Sequence, residues 1–212
     1  ADQAEVMDGA FRILMYLAVP VFAFVLSMLI YSFLRFRTRS TTLQDGPPVH
    51  THGGVVATWF FVTAALTITI TIFPGAIDLI EIRRREHREP DLIVRVEGQR
   101  WSWTVSYPQY DVSTMQEMVL PVGQRVRFEV TSRDVVHSFW VPAFRVKIDA
   151  VPGLVTYTGA VPMLLGSFER SSTYRVQCAE LCGTNHALMV LPVRVVEKEE
   201  FTAWLAAHRK RQ

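Results

Sequence analysis

The sequence predicts a membrane-anchored all-β protein: a two-helix transmembrane hairpin, then a β-sandwich or barrel, then a short closing helix. Three observations predict it. Two early stretches, residues 13–34 and 55–77, contain no charged residue. From Asp91 onward, charges are regularly spaced and short β-branched and aromatic runs are punctuated by Gly and Pro. Finally, 50% of the 212 residues are apolar and 20% are charged, too hydrophobic for an ordinary soluble domain and too charged for one lying wholly in a membrane. The expected organisation is therefore a membrane part over 1–90, a β-domain over 91–197 and a C-terminal helix and tail over 198–212.

Each uncharged stretch is long enough to cross a hydrocarbon core of roughly 30 Å at about 1.5 Å rise per residue. Pro20 lies inside the first, where a membrane helix tolerates the lost N–H when neighbours satisfy the freed carbonyl. A cleavable signal peptide would have a shorter apolar run followed by a small-residue cleavage site, so the first stretch reads as a span. The second stretch has Trp59 near its start and Pro74-Gly75 near its end.

Orientation follows from the arginines. Arg35, Arg37 and Arg39 lie in the short loop after the first stretch and hold it inside, while Asp2, Glu5 and Asp8 outweigh Arg12 before it. Both termini and the β-domain are then expected outside, on the periplasmic side of a bacterial membrane. Arg83, Arg84, Arg85 and Arg88 run against this arrangement. They are discounted because Glu81, Glu86 and Glu89 are interleaved and because large domains cross largely regardless of charge.

In the β-domain, strands are predicted at 92–97, 101–107, 125–131 and 173–177. The alternation in Arg125-Val126-Arg127-Phe128-Glu129-Val130 marks a half-buried strand. Turns are predicted at Pro121-Val122-Gly123, Pro152-Gly153 and Gly166. Residues 198–210 form the final helix, with Phe201, Trp204, Leu205 and His208 on one packing face. Its basic end, Arg209-Lys210-Arg211, suits the helix dipole, and no nucleic-acid partner is expected.

The chemistry concentrates in Cys178-Ala179-Glu180-Leu181-Cys182-Gly183-Thr184-Asn185-His186-Ala187-Leu188-Met189, which holds the chain's two cysteines. Thiolate, imidazole and thioether suit soft or borderline metals such as copper, whereas calcium and magnesium call for carboxylates. A one-copper blue site uses a single Cys, so the second thiolate points to two bridged coppers. His137, in Asp134-Val135-Val136-His137-Ser138-Phe139-Trp140, is the candidate second imidazole. Two other readings stay open on spacing alone: a closed Cys2His2 zinc site, and a Cys178–Cys182 disulfide that would leave His186-x-x-Met189 unexplained.

Together with His137-Ser138-Phe139-Trp140-Val141-Pro142, Gly98-Gln99-Arg100-Trp101-Ser102-Trp103 and Lys147-Ile148-Asp149-Ala150-Val151-Pro152-Gly153, this motif resembles cytochrome c oxidase subunit II over nearly the whole chain. The resemblance implies a cupredoxin-like Greek-key domain with a binuclear copper centre (CuA). It implies that Cys178 and Cys182 bridge both coppers, that His137 and Met189 complete one, and that His186 with the Glu180 carbonyl completes the other. The Glu180 side chain would reach a magnesium ion at the interface with subunit I. Trp101 would stand at the electron-entry surface, although by strand periodicity it shares a face with Trp103 and could equally be core. Asp134 reads as a turn or hydrogen-bonding residue.

The function so implied is electron entry into a haem-copper terminal oxidase. The copper pair accepts electrons from a donor such as a cytochrome c, and haem in subunit I reduces dioxygen to water with proton translocation. The implied partners are subunit I, subunit III and the donor. The β-domain carries as many acidic as basic residues, so the donor could also be a neutral cytochrome or a fixed partner complex. No acidic residue occurs between Asp45 and Asp78, where many members of the family carry a glutamate at a proton-input channel. His50 and His52 are candidate substitutes, against a plain reading as solvated loop histidines. Retention of all copper ligands argues against a quinol oxidase. A membrane-anchored copper carrier or electron-transfer module outside an oxidase is the alternative from another class.

Overall fold

The computed structural model describes residues 1–37, 51–86 and 88–209, the side chain of Glu86 apart. Arg39, His50, Lys210 and Arg211, named above, lie outside the described residues. The chain forms two compact units, residues 8–80 and residues 1–7 with 81–212.

The first unit is helical. Helix α1 covers Asp2–Arg35 and contains the first uncharged stretch, with Pro20 inside it. Helix α2, Gly53–Ile70, starts at His52, whose Nδ1 accepts the Val55 N–H at 3.3 Å. His52 is thus a helix cap. The second uncharged stretch is not one regular helix: a wide turn over Thr71–Ala76 contains Phe73 in extended backbone before Pro74, and α3 resumes at Ile77–Glu86. Proline explains the break, because its ring excludes helical geometry from the residue before it. Large apolar side chains along both stretches, Phe22, Phe33, Trp59 and Phe61 among them, are exposed. That surface suits lipid rather than water.

The second unit is a two-sheet β-domain. One sheet has the order β3-β2-β1-β5-β8, built from β1 (Leu92–Gln99), β2 (Ser102–Tyr107), β3 (Val112–Thr114), β5 (Val126–Ser132) and β8 (Thr156–Ala160). The other has the order β4-β11-β10-β6-β7, from β4 (Met118–Pro121), β6 (His137–Val141), β7 (Val146–Ala150), β10 (Arg175–Cys178) and β11 (Val190–Val196), with the short β9 (Gly166–Ser167) also pairing β11. The predicted strands are present within a residue or two of their expected bounds.

Alternation decides which residues enter the core. Val126, Phe128 and Val130 are buried while Arg127 and Glu129 between them are not, as the charge pattern requires. The two sheets meet through aromatics: Phe128 and Phe139 lie 5.1 Å apart between ring centroids, and Trp103 meets Phe139 edge-on at 6.2 Å. Fully burying each such side chain contributes about 1.5–3 kcal/mol. Helix α4, Lys198–His208, closes one end by burying Phe201, Trp204 and Leu205, while His208 stacks on Trp204 from the exposed side. Trp204 Nε1 donates to Glu117, which also receives Arg194.

The pairing of β10 with β6 sets the site. Cys178 stands opposite Phe139 and Gln177 opposite Trp140, so the end of one strand brings a cysteine beside the first residue of the other, His137.

Candidate metal centre

Five side chains converge where β10 runs into the loop that leads to β11. Cys178 Sγ and Cys182 Sγ lie 3.7 Å apart. His137 Nδ1 approaches Cys178 Sγ at 3.8 Å, and His186 Nδ1 approaches Cys182 Sγ at 3.6 Å. Met189 Sδ is 3.9 Å from Cys182 Sγ, and the Glu180 carbonyl oxygen is 3.2 Å from Cys178 Sγ. The two sulfurs form the middle of the group, with one imidazole at each end.

Both cysteines are free, and 3.7 Å is far beyond the ~2.05 Å of a disulfide bond. The same distance lets one metal ion touch both sulfurs at about 2.3 Å. Ligand atoms of His137, Cys178 and Cys182 lie within 4.8 Å of one another, and all three residues are buried, as is Met189. These three could hold a metal ion. Without one, burial and then the neighbouring Cys178 thiol push the Cys182 thiol up to about 11. A cation bound here would have to displace the thiol protons, as thiolate ligation requires.

A supporting shell fixes the His137 ring. Its Nε2 lies 2.9 Å from Asp134 Oδ1, leaving Nδ1 for the sulfur side. Asp134 Oδ2 in turn accepts the Arg100 backbone N–H at 2.9 Å and its Nε at 3.2 Å. Burial opposes ionisation of Asp134, but the bonds from Arg100, His137 and the Val135 N–H outweigh it and hold the carboxyl well below the usual range. The hydrogen-bonding role expected of Asp134 is what the geometry shows. Trp103 donates from Nε1 to the Met189 carbonyl at 3.4 Å and packs edge-on against His137.

Trp101 and Trp103 do not share a face, contrary to the period-two expectation. Strand β2 begins at Ser102, so Trp101 sits in the preceding turn, where strand alternation does not apply. Trp103 is 1% exposed and Trp101 36%. The Trp101 indole reaches the Cys182-Gly183 segment. Glu180 is exposed, while its carbonyl oxygen approaches Cys178 Sγ.

One contributor escaped the sequence reading. A Cβ on Gly98 would lie 3.0 Å from both His137 Cδ2 and Trp103 Cζ3, so glycine there opens the space in which these rings meet. A lone glycine inside an alternating strand is the available signal.

Comparison with known proteins finds relatives over most of the chain. A model of the cytochrome c oxidase subunit II periplasmic domain matches residues 110–196. Cytochrome c oxidase subunit 2 of Cereibacter sphaeroides is 30% identical over 99% of this chain and 77% of its own length. The corresponding protein of Thermostichus vulcanus is 27% identical over 96% of this chain and 75% of its own. Among solved structures, the periplasmic domain of cytochrome oxidase subunit II from Bradyrhizobium japonicum covers 57% of this chain and 95% of its own, at 34% identity and a TM-score of 0.53. A second, described as a mixed disulfide intermediate between a thioredoxin-like protein and cytochrome c oxidase subunit II, covers 57% and 93% at 33% identity and a TM-score of 0.51.

Proposed function

The chain belongs to the cytochrome c oxidase subunit II family, a subunit of a terminal oxidase, and from that premise we propose that it is the electron-entry subunit, binding a two-copper centre through His137, Cys178, Glu180, Cys182, His186 and Met189. The observation that carries this reading is the order imidazole, sulfur, sulfur, imidazole at 3.8, 3.7 and 3.6 Å. A tetrahedral zinc site would use four of these donors and leave the Met189 thioether and the Glu180 carbonyl without a role. A two-copper centre would use every donor: both thiolates, both imidazoles, and as weak ligands the Met189 thioether and the Glu180 carbonyl, which lie 3.9 Å from Cys182 Sγ and 3.2 Å from Cys178 Sγ. When bound, such a pair supplies reversible one-electron transfer, the charge being spread over two metals.

The protein's own contribution is to hold the donors still and dry. Strands β6 and β10 fix His137 and Cys178 from a rigid sheet, and Asp134 holds the His137 ring by its outer nitrogen. Burial of Met189 and both cysteines keeps water away. Trp101, exposed and against Gly183, is the route by which a docked donor would reach the loop. The exposed Glu180 carboxylate is free to reach a magnesium ion shared with the haem-bearing subunit I. Electrons then pass to that subunit, with subunit III completing the complex and dioxygen reduction occurring outside this chain. The arginines of the loop after the first span favour a topology with both termini and the β-domain on the outer side, against those that follow the second span.

The related subunit II caught in a mixed disulfide with a thioredoxin-like protein supports a requirement for reduced thiols before loading. A thioredoxin-like reductant is accordingly a proposed assembly partner.

The test is the visible and electron-paramagnetic spectrum of the copper-loaded chain, with metal analysis. A purple centre coupled to two copper nuclei is expected. A one-copper signal, or colourless protein retaining zinc, would reject the assignment. A copper carrier outside an oxidase would instead release copper readily and co-purify with no haem-bearing subunit.

A further inference from the structure

The arginines that run against the expected orientation find a place in the β-domain unit. Arg85 and Arg88, at and just past the end of α3, join Arg125 and Arg127 of the β5 segment around a cavity of about 400 Å³, with Gln3 and Tyr157 on its wall. That is larger than a bare inorganic anion needs and within the range of small-molecule pockets.

The positive charge there is only partly answered. Arg85 donates to Glu81 at 2.9 Å and lies 3.8 Å from the Asp2 carboxylate. Arg125 Nη1 donates to the Arg85 carbonyl, and Asp91 accepts the Arg125 backbone N–H rather than its guanidinium. Arg88 and Arg127 make no side-chain hydrogen bond or ion pair among the described residues. The positive charge that Glu81 and Asp2 leave unanswered favours an entering anion, and planar guanidinium forks match phosphate oxygens best.

Two further facts point to a lipid rather than a free anion. Arg85 is eight residues past Ile77, the end of the second uncharged stretch, so at most about 12 Å of helix separates them, a distance from which a long arginine side chain reaches back to the headgroup layer. Beside the pocket, the Asp2 N–H donates to the Val161 carbonyl and Asp2 Oδ1 accepts the Val161 N–H, which fastens a loop whose Met163, Leu164 and Leu165 are 54%, 71% and 49% exposed. Apolar side chains so presented at that end of the domain suit acyl chains.

We propose that this pocket binds the phosphate-bearing headgroup of an anionic phospholipid in the leaflet on the β-domain's side, with the exposed apolar side chains at 163–165 meeting that lipid's own acyl chains. The site rests on the two apolar helices spanning a membrane and is independent of the copper assignment. It also explains why arginines persist at this end of the second span, where orientation alone disfavours them.

The test uses the full chain in phosphatidylcholine nanodiscs doped with phosphatidylglycerol, with retained lipid read by native mass spectrometry. Preferential retention of phosphatidylglycerol is expected, and Arg88→Gln with Arg127→Gln should weaken it about tenfold or more, the scale of losing one charge-assisted hydrogen bond. Lys147→Gln, at an exposed position elsewhere, should match the parent. If the double variant unfolds, the exposed Arg88→Gln alone must weaken retention in the same direction. Equal retention in parent and arginine variants would overturn the site. Binding of inorganic phosphate to the detergent-solubilised chain without preference for phosphatidylglycerol would overturn the lipid as its source. Copper spectra recorded on the same samples separate a failure here from a failure of the copper reading.

Discussion

The Trp101 indole lies over Gly183, the residue after Cys182: a Cβ built on Gly183 would sit 3.4 Å from the indole Cζ2 and Nε1. An exposed aromatic is thereby seated on the loop that carries the second thiol. Trp101→Leu should leave copper content and spectrum intact and slow reduction by the donor. Because Trp101 is partly exposed, the stability loss should stay below about 2 kcal/mol, the lower end for buried large-to-small changes. Flash-initiated reduction and thermal unfolding, measured together, check this. An unchanged rate with a markedly lower melting temperature would return Trp101 to the core.

Gly98 makes a prediction of the opposite kind. A methyl group 3.0 Å from both His137 and Trp103 cannot be accommodated without moving one of the rings. Gly98→Ala should cost about 1–3 kcal/mol by overpacking and also shift the copper spectrum, since the displaced ring is a ligand. A spectrum identical to the parent's would show that Trp103 alone gives way.

Replacing the thiols separates bridging from axial roles. Cys178→Ser or Cys182→Ser should abolish the two-copper spectrum, because a hydroxyl is a harder and far less acidic ligand. Met189→Leu should keep both coppers and change mainly the potential, the thioether being a weak ligand. Metal analysis with spectroscopy checks both, and loss of all copper in Met189→Leu would contradict the axial role.

The apolar helices and the loop that gathers the soft donors were legible because each is written locally: one as an absence of charge, the other as a spacing of Cys, His and Met. His137 was harder, since it lies forty-one residues before Cys178 and only the β6–β10 pairing brings the two together. Residue type and family resemblance had to stand in for it. The shared face of Trp101 and Trp103 was misread because periodicity was carried one residue past the strand into a turn. The docking of Asp2 and Gln3 on β8 and the loop after it was invisible, because their partners, Gly159 and Val161, are backbone groups that no side-chain pattern announces. The break at Phe73 could be read from Pro74, which had been taken only as the end of a span.

Tyr107 carries the last prediction. It is fully buried, and its hydroxyl donates to the Val119 carbonyl at 2.8 Å and accepts the Val119 N–H at 2.9 Å, tying β2 to β4. Burial raises its pKa far above the ordinary value of about 10, against the lowering effect of the Val119 bond and with a further rise from Glu117. The folded state therefore keeps this proton where the unfolded chain loses it. Its contribution is fully present below pH 10 and is lost as pH rises above that, at about 1.4 kcal/mol per pH unit for one proton. Tyr107→Phe should lower stability at neutral pH by about 1–3 kcal/mol, since it strands both Val119 groups. It should also flatten the alkaline decline, so that parent and variant draw together as pH rises from 10 to about 12. Unfolding of the detergent-solubilised chain across that range measures both effects, and parallel pH curves for the two proteins would show that Tyr107 ionises as readily folded as unfolded.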